Sequence, residues 1–276
     1  MVRALWAGAT GMIAQQNNVD TIANNIANVN TIGYKTEVNE FKSLLYQTIQ
    51  TKTTSANGEN KPVGAQVGLG VRNAAITSQF TQGSFLASEN PSAVAINGDG
   101  FFKVRGEDQQ MYYTRNGDFN WSLGPDNTLA LTTSDGLLVM GSNDTPITVP
   151  NNGQYYTNRI DIDAEGYLMY PDANNNMQRI AGKQIGTWQF QNPKGLEKRG
   201  DSLFAVTDAS GPAINETGAP GNIKRSEIRQ GYIENSNVQV ADEMVNLIIA
   251  QRAYEMNSKV IQASDTMMQE ANELRR

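Results

Sequence analysis

Apolar residues recur at three-four spacing near both ends of the chain, and this pattern predicts a long helix at each end. The N-terminal helix is expected over residues 2–29, and residues 30–33 should end it, with Gly33 free to adopt a left-handed C-cap. Residues 236–239 fit a capping box before the C-terminal helix, and the two final arginines suit its negatively polarised end. Local signals therefore predict both helices and their boundaries.

Between these helices the pattern changes twice. Residues 41–49 carry four apolar side chains at helical spacing, which predicts a second, short helical stretch. Residues 51–62 are rich in Thr, Ser, Asn and Gly and show no periodicity, so an extended loop is expected there. From residue 63 to residue 235 short β-prone runs follow a period of two, which predicts a β-rich block.

Turn signals divide the β-rich block into short strands. Asn116-Gly117 lies between Tyr112-Tyr113 and Phe119 and predicts a hairpin, because Asn-Gly suits a two-residue hairpin turn. Dense turns with little helical signal indicate antiparallel strands in an irregular sandwich or barrel. The other turn signals are Gly98-Asp99-Gly100, Asp135-Gly136 and Glu165-Gly166.

The pattern as a whole predicts an α+β protein. Its long N- and C-terminal helices are expected to pair into one domain around a central, irregular antiparallel β domain. The expected boundaries are 1–45 for the N-terminal helical part, 46–70 for an extended linker or arm, 71–235 for the β-rich domain and 236–276 for the C-terminal helix.

The C-terminal helix is apolar on more than one side, so it needs cover on more than one side. The N-terminal helix can supply one partner, in a pair with coiled-coil character. Since burial of each remaining side chain is worth roughly 1.5 to 3 kcal/mol, other copies of the chain are a natural source of further cover. The alternative is that the helix lies across the β domain as ordinary core. The main stripe is Val245, Ile249, Ala253, Met256, Val260, Ala263, Met267 and Leu274, and the other apolar positions are Met244, Leu247, Ile248, Tyr254, Ile261 and Met268.

Asparagines repeat in the N-terminal helix at helical spacing. Asn18 and Asn25 lie seven residues apart and share a face, with Asn28 near one turn beyond. Asn is a mediocre helix former, and a buried Asn in a helical seam can fix its register, whereas a solvated polar face is the simpler interpretation. The candidate assembly residues are Asn18, Asn24, Asn25, Asn28, Val245, Ile249, Ala253, Tyr254, Met256, Val260 and Met267.

Composition excludes several classes of chemistry. The chain has neither Cys nor His, which removes thiol nucleophiles, disulfides, thiolate zinc sites and imidazole bases, and no cofactor is expected. The formal net charge of -6, with no cluster of cations, offers no surface for nucleic acid or anionic lipid. No apolar run approaches the roughly 18 residues of a membrane span, so no membrane insertion is expected. Residues 3–14 faintly resemble a secretory signal, but the helical periodicity continues past any cleavage point.

Two acidic patterns resemble chemical sites. Residues 161–172 imitate a calcium-binding loop, but an Asp replaces the bidentate Glu and Pro171 precedes it, so a β-turn is expected instead. The adjacent carboxylates Asp242/Glu243 and Glu107/Asp108 leave a periplasmic cell-wall hydrolase as the enzymatic alternative.

Longer motifs lie at both ends and in the middle of the chain. They are Ala23-Asn24-Asn25-Ile26-Ala27-Asn28 with Asn30-Thr31-Ile32-Gly33-Tyr34-Lys35, Gly98-Asp99-Gly100-Phe101-Phe102-Lys103-Val104, Tyr113-Thr114-Arg115-Asn116-Gly117, Gln230-Gly231-Tyr232-Ile233-Glu234-Asn235-Ser236-Asn237-Val238, and Gln251-Arg252-Ala253-Tyr254-Glu255-Met256-Asn257-Ser258-Lys259. These motifs resemble those of the flagellar rod and hook proteins. The resemblance covers nearly the whole chain and is weakest over residues 123–195.

The resemblance implies a structural subunit that stacks helically into a filament, with terminal helices inside and the β domain outside. Residues 45–70 are similar to an insertion that marks the distal rod members of the family, which form a straight, stiff shaft. A longer proximal rod member is the nearest alternative, and a non-flagellar adhesin or tail-tube component would lack the paired terminal motifs. The implied partners are further copies, proximal rod proteins, hook protein, rod-surrounding ring proteins and the flagellar export apparatus. The implied location is the periplasmic rod of the basal body, reached without cleavage of a signal peptide.

Overall fold

A computed structural model of the protein describes residues 2–50, 53–54, 60–61, 64–124, 127–151, 155–172, 176–218 and 224–274. The long helices are α1 (Val2–Ala27) and α2 (Val240–Glu273), and short 3-10 helices cover Thr157–Arg159, Pro193–Gly195 and Glu216–Gly218. The strands are β1 (Glu37–Ser43), β2 (Tyr46–Gln50), β3 (Thr53–Thr54), β4 (Asn60–Lys61), β5 (Ala65–Gly68), β6 (Val71–Ser78), β7 (Phe85–Ala87), β8 (Val94–Asn97), β9 (Phe101–Arg105), β10 (Met111–Thr114), β11 (Phe119–Leu123), β12 (Thr128–Thr133), β13 (Leu138–Val139), β14 (Thr148–Pro150), β15 (Asp161–Ile162), β16 (Tyr167–Pro171), β17 (Met177–Gln184), β18 (Thr187–Gln189), β19 (Glu197–Gly200), β20 (Leu203–Ala205), β21 (Ile214–Asn215), β22 (Glu227–Gln230) and β23 (Tyr232–Glu234).

Both predicted terminal helices are present, but their ends are set differently. α1 ends at Ala27, and Gly33 has the predicted left-handed conformation, with a φ of 69°. Its predicted role as C-cap is wrong, because Gly33 lies beyond the end of the helix and its amide donates to the Glu234 carbonyl. The predicted capping box is wrong: α2 begins after Gln239, whose side chain makes no capping hydrogen bond. The Asn237 side chain is occupied by backbone and side-chain groups of other segments, so it is not free to cap the helix. The two C-terminal arginines lie outside the described residues.

The predicted short helix over residues 41–49 is wrong, because this segment forms β1 and β2. β1 pairs with β6, β2 with β5 and β3 with β4, all antiparallel, so these six strands form one nested ribbon. Pairing with residues 15 to 41 positions away, from Gln50↔Ala65 to Glu37↔Ser78, supplies cross-strand hydrogen bonds that a local apolar spacing does not reveal. Of the predicted loop over residues 51–62, only β3 and β4 lie within the described residues.

The chain divides into two compact units. Unit 1 comprises Met1–Ala27, Glu37–Ser78 and Gln239–Arg276, and unit 2 comprises Asn28–Thr36 and Gln79–Val238. Residues 71–78, which the sequence pattern assigned to the β-rich domain, belong to unit 1 in the structure because β6 pairs with β1.

In unit 1, α1 packs against α2, β1 and β6. The Thr10 hydroxyl accepts a hydrogen bond from the Val71 amide at 3.4 Å. The neighbouring Gly70 has a φ of 113° and no space for a side chain against Thr10, so this contact requires glycine. One face of α1 is thereby covered by the ribbon and another by α2.

Unit 2 is built from antiparallel strands, which confirms the predicted α+β class. Its main sheet has the order β11-β12-β13-β9-β10-β20-β19, with β14 beside β12, β18 beside β9 and β21 beside β18. A second sheet has the order β15-β16-β17, and the pairs β8-β22 and β7-β23 complete the described part of the unit. The described strands do not close into a barrel.

The turn signals within unit 2 have mixed outcomes. Asp135-Gly136 joins β12 to β13, and Glu165-Gly166 joins β15 to β16, as their positive-φ glycines suggest. The β-turn predicted in place of a calcium loop is thus confirmed. The Asn116-Gly117 hairpin is wrong, since β10 pairs with β9 and β20 whereas β11 pairs with β12. The Gly117 carbonyl instead accepts a hydrogen bond from the Val94 amide. A Cβ at Gly117 would clash with the Val94 carbonyl oxygen, so this close contact requires glycine.

Two apolar clusters fill unit 2. The second is largely aromatic, and Tyr113 in it meets Phe190 edge to face with ring centroids 4.9 Å apart. Such edge-to-face pairs add to the free energy of burial. The first cluster consists of Val94, Ile96, Phe102, Val104, Phe119, Leu131, Val139, Ile147, Val149, Ile160, Ile162, Leu168, Ile185 and Ile228, and the second of Phe101, Tyr113, Met140, Trp188, Phe190, Leu196 and Phe204.

Tyr113 should make unit 2 sensitive to alkali. Burial raises the pKa of its phenol from 10.0 to about 12. The folded state therefore holds the proton more tightly than the unfolded state, so this stabilisation is complete below pH 10 and is lost as the pH rises from 10 towards 12. We expect Tyr113→Phe to reduce the loss of unfolding free energy across this window by about 2 kcal/mol. Urea titrations at pH 9 and pH 11.5 measure the unfolding free energy of the unchanged protein and of Tyr113→Phe. An equal loss of unfolding free energy in the two proteins would contradict this prediction.

Candidate assembly surface and buried ionic cluster

The side of α2 that faces α1 is made mostly of small and polar residues. Glu243, Ala250, Asn257 and Ser264 follow one another at intervals of seven, and all are buried or half-buried. Leu247, Ile261 and Met268 lie between them on the same face and are half-buried. This alternation of four and three residues is the spacing of a coiled-coil seam. The seam therefore uses residues that the sequence pattern assigned to other faces of the helix.

Glycines in α1 allow the two helices to approach closely. A Cβ on Gly8 would lie 3.0 Å from a side-chain carbon of Ile261, and one on Gly11 would lie 2.8 Å from the Asn257 amide nitrogen. Because the later α1 residue meets the earlier α2 residue, the pair is antiparallel. Continuing this register places Val2 opposite residues 266 and 267, so the end of α2 extends past α1.

We expect Gly11→Val to weaken the helix pair, since the added side chain has no room beside Asn257. Overpacking of this kind costs roughly 1 to 3 kcal/mol. The double variant Gly11→Val/Asn257→Ala should recover part of this loss, because it removes the opposing amide. A double-mutant cycle on thermal unfolding of the helical signal measures the coupling, and additive effects of the two changes would contradict it.

The main apolar stripe predicted on α2 is exposed in the single chain. Ile249 is 62% exposed and Met256 61%, well above the level of core residues. Its other large members share this state, and among the described side chains of α1 two large apolar ones, Trp6 and Ile13, are also exposed. The exposed set on the two helices is Trp6, Ile13, Val240, Met244, Val245, Ile248, Ile249, Tyr254, Met256, Val260, Met267 and Leu274. Contiguous apolar patches of this kind mark sites of protein contact.

The ribbon of unit 1 also presents apolar side chains to solvent. Leu45 is 83% exposed, and Tyr46 and Ile49 are close to 60% exposed. Charged residues are few along β2 and β5, so these strands lack the usual protection of an exposed edge. The ribbon is therefore a second candidate contact surface.

The asparagines of α1 occupy different environments. Asn25 is buried, and its side chain donates to the Glu37 carbonyl at 2.8 Å and accepts the Glu37 amide at 2.9 Å. It thereby fixes the start of β1 within the same chain. Asn28 accepts a hydrogen bond from the Thr31 hydroxyl, Asn18 is half-buried and Asn24 is exposed. Of the remaining candidate assembly residues, Ala253 is half-buried.

Unit 2 contains a buried ionic cluster. The Lys35 ammonium and the Glu234 carboxylate are 2.5 Å apart, and the Arg115 guanidinium is 3.3 Å from the other Glu234 oxygen. All three side chains are at most 1% exposed. Burial lowers the pKa of Lys35 and of Arg115, and the charge of Glu234 opposes this shift. Nothing in hydropathy or spacing marks these three residues as neighbours, although each lies in one of the family motifs.

The described residues offer little for other chemistry. Among them no group of three or more acidic side chains is placed to hold a metal ion, and no helix has the length and apolarity of a membrane span. Of the adjacent carboxylate pairs, Glu243 is buried in the seam while Asp242 is exposed. A shared carboxylate site is therefore not formed by that pair.

Comparison with known proteins finds family matches at both ends and in the middle of the chain. Residues 5–35 match the flagella basal body rod protein family, residues 95–170 the flagellar hook protein FlgE/F/G D1 domain, and residues 229–274 the C-terminal family of the flagellar basal body rod FlgEFG proteins. The flagellar basal-body rod protein FlgG of Borreliella burgdorferi is 44% identical over 277 residues, which cover 100% of both chains. The chain belongs to the FlgG family of flagellar basal-body rod proteins. FlgG of Agrobacterium fabrum is 40% identical over 96% of this chain and 97% of its own, and FlgG of Bacillus subtilis is 34% identical over 100% of both.

The regions matched to the family include two of the three sites described here, and the ribbon lies between the first and second matched regions. Lys35, Arg115 and Glu234 each fall in a different matched region, and the exposed stripe of α2 falls in the third. The FlgG-family match therefore covers the residues that form the cluster and the stripe.

Proposed function

We propose that this chain is a structural subunit of the flagellar distal rod and assembles with further copies into a helical, torque-transmitting shaft. The main observation in support is the apolar stripe of α2, which is exposed in a single chain even though the seam of α2 is packed against α1. Covering each such side chain contributes roughly 1.5 to 3 kcal/mol. Ile249, Met256 and Val260 alone therefore provide a driving force of several kcal/mol for association.

The geometry of unit 1 suits open growth. The stripe on α2 and the apolar face of the ribbon are different surfaces, and a contact between unlike surfaces leaves each new subunit ready to receive the next. The overhang of α2 past α1 gives the helix pair two unlike ends. In this arrangement Asn18, Asn24, Asn28, Ala253 and Tyr254 would lie at or beside contacts between copies.

The ribbon favours the distal rod over the proximal rod. It corresponds to the segment whose resemblance marks distal members, and an antiparallel arm with exposed apolar side chains can extend the contact between neighbouring subunits. Contacts spread along an arm resist shear better than contacts at one point. Family membership supports proximal rod proteins, hook protein, surrounding ring proteins and the export apparatus as partners, in the periplasmic part of the basal body.

We further propose that the chain has no catalytic role. The absence of Cys and His and the separation of Asp242 from the buried Glu243 leave the hydrolase alternative without a formed site among the described residues. Incubation of the purified protein with peptidoglycan tests this, and turnover above that of a heat-denatured sample would contradict it.

Assembly is tested by electron microscopy of the purified, concentrated protein. Negative staining should show straight tubes whose number rises with protein concentration, since association follows mass action. A protein that remains dispersed at high concentration, with sedimentation of a single chain throughout, would overturn the proposal.

A further inference from the structure

The buried ionic cluster lies where the chain enters and leaves unit 2. The chain passes between the units after Ala27, Thr36, Ser78 and Val238. Three of these four links begin within a few residues of the cluster, and all the contacts described below are between residues of unit 2. The cluster is thus placed at the segments that carry the ribbon and α2.

The three segments are hydrogen-bonded to one another as well as ion-paired. Lys35 donates to the Thr81 carbonyl at 2.7 Å, and Glu234 accepts the Gly83 amide at 2.9 Å. The Gly33 amide donates to the Glu234 carbonyl at 2.8 Å. Residues from 33–35, 81–83 and 234 are therefore joined through the Glu234 carboxylate, the Glu234 main-chain carbonyl and the Lys35 ammonium.

Asn237 adds a second, uncharged tie between the same segments. Its side-chain oxygen accepts the Thr36 amide at 2.7 Å, and its side-chain nitrogen donates to the Gln79 carbonyl at 2.9 Å. The Gln79 amide in turn donates to the Thr36 carbonyl at 2.8 Å. The residues next to three links are thus held to each other directly.

We propose that Lys35, Arg115, Glu234 and Asn237 form a junction lock, a device that holds the linking segments of unit 2 in one arrangement. Glu234 is central, because it is the only carboxylate ion-paired with the two buried cations among the described residues. If the segment of Lys35 or of Glu234 leaves its place, a buried charge loses its ion-pair partner, which is strongly unfavourable. If residues 81–83 leave, Lys35 and Glu234 each lose a hydrogen bond to the main chain. The cluster therefore penalises partly docked arrangements more than an apolar contact of the same size would.

The lock concerns the isolated chain and does not depend on the proposed function. In a rod subunit, which rests on the proposed function, the lock would have a mechanical consequence. Force transmitted along the covalent chain from one unit to the other would act on segments that the lock holds in place in unit 2.

Hydrogen exchange of the full chain in dilute solution tests the lock. In Glu234→Gln both cations lose their counter-charge, so the amides of Gly33, Thr36, Gln79 and Gly83 should exchange roughly 100-fold faster. The amides of β9 in the core of unit 2 should remain as protected as in the unchanged protein. Unchanged rates at the four amides, or an equal increase in β9, would overturn the proposal.

Glu216→Gln is the matched control. Glu216 is a second buried carboxylate of unit 2, 2% exposed, and it accepts hydrogen bonds from Thr187 and Ser226, which are not in the linking segments. Burial lowers the pKa of Arg115, and the charge of Glu216 opposes this shift less than the charges of Glu234 and Asp99 do. Within the described part of the chain, Glu216 makes no ion pair with the cluster. Its replacement should leave the four amides protected. The same acceleration in this variant would mean that any lost buried charge loosens the links, and the lock would be refuted.

Asn237→Ala keeps the test decisive if Glu234→Gln fails to fold. This change removes a neutral, partly exposed side chain and should speed exchange at Thr36 and Gln79 by roughly tenfold while Gly83 stays protected. Unaltered exchange at Thr36 would overturn the proposal. Because dispersed chains are measured, these outcomes are independent of whether tubes form, and the two proposals can fail separately.

Discussion

Replacing Ile249, Met256 and Val260 together with aspartate is expected to abolish filament formation while unit 2 remains folded. The three side chains are 45% to 62% exposed in the single chain, so their replacement costs little stability before assembly. In an assembled contact, the lost burial alone removes about 3 to 5 kcal/mol, because the three side chains are already about half buried, and three carboxylates would also need desolvation. Negative-stain micrographs and sedimentation measure assembly. Fluorescence of Trp121 and Trp188 reports on unit 2 when it is recorded in a Trp6→Phe background, because Trp6 lies in unit 1.

A charge-matched control separates the surface from the charge. Gln251, Gln262 and Gln269 are exposed on a side of α2 away from the stripe, and their triple replacement with aspartate adds the same charge to the same helix. This control should still form tubes. Tubes of normal number and length from the stripe variant would show that the apolar stripe is not the assembly surface.

Gly33→Ala is expected to lower the unfolding free energy of unit 2 by about 2 to 4 kcal/mol. Gly33 has a φ of 69°, which costs an L-residue about 1 to 2 kcal/mol. Its added Cβ would also lie 2.7 Å from the Asn116 amide nitrogen and 2.8 Å from the Arg115 carbonyl carbon. Both are backbone atoms, so neither can rotate away, and the shift would reach Arg115 of the ionic cluster. Urea unfolding followed by fluorescence of Trp121 and Trp188, in a Trp6→Phe background, measures the change.

Gly182 supplies the control for backbone strain. It has a nearly identical φ of 71°, but a Cβ there meets no atom within 4 Å. Gly182→Ala should therefore lose only the cost of the left-handed conformation, about 1 to 2 kcal/mol. Equal destabilisation by the two changes would mean that the contact with Arg115 and Asn116 is irrelevant.

The helices were predictable from periodicity, but the face that pairs was not. The strongest apolar stripe of α2 is exposed, and the seam contains Glu243, Asn257 and Ser264. A polar residue can occupy a helical seam when the opposing helix provides glycine, as Gly11 does for Asn257. Which face of α2 is buried therefore depends on the sequence of α1 as well. The pattern of apolar residues along α2 alone cannot predict that face.

The ribbon and the ionic cluster could not be predicted from local sequence patterns either, because both depend on residues that are distant in the chain. β1 pairs with β6 across more than 25 intervening residues, so an apolar spacing within residues 41–49 could not distinguish a strand from a helix. Lys35, Arg115 and Glu234 are separated by 80 and 119 positions in the chain. Only the resemblance of their motifs to one family grouped them, and it did not indicate contact.

The nested pairing of the ribbon limits how the length of this arm can change. Each strand rises about 3.3 Å per residue and alternates its faces with a period of two. Adding two residues to each side would extend the arm by about 7 Å and preserve which side chains point to each face. Adding a single residue to each side would reverse both faces beyond that point. The length of the ribbon can therefore change only in steps of two residues per strand if each side chain is to stay on its face, while β1 and β6 keep their register.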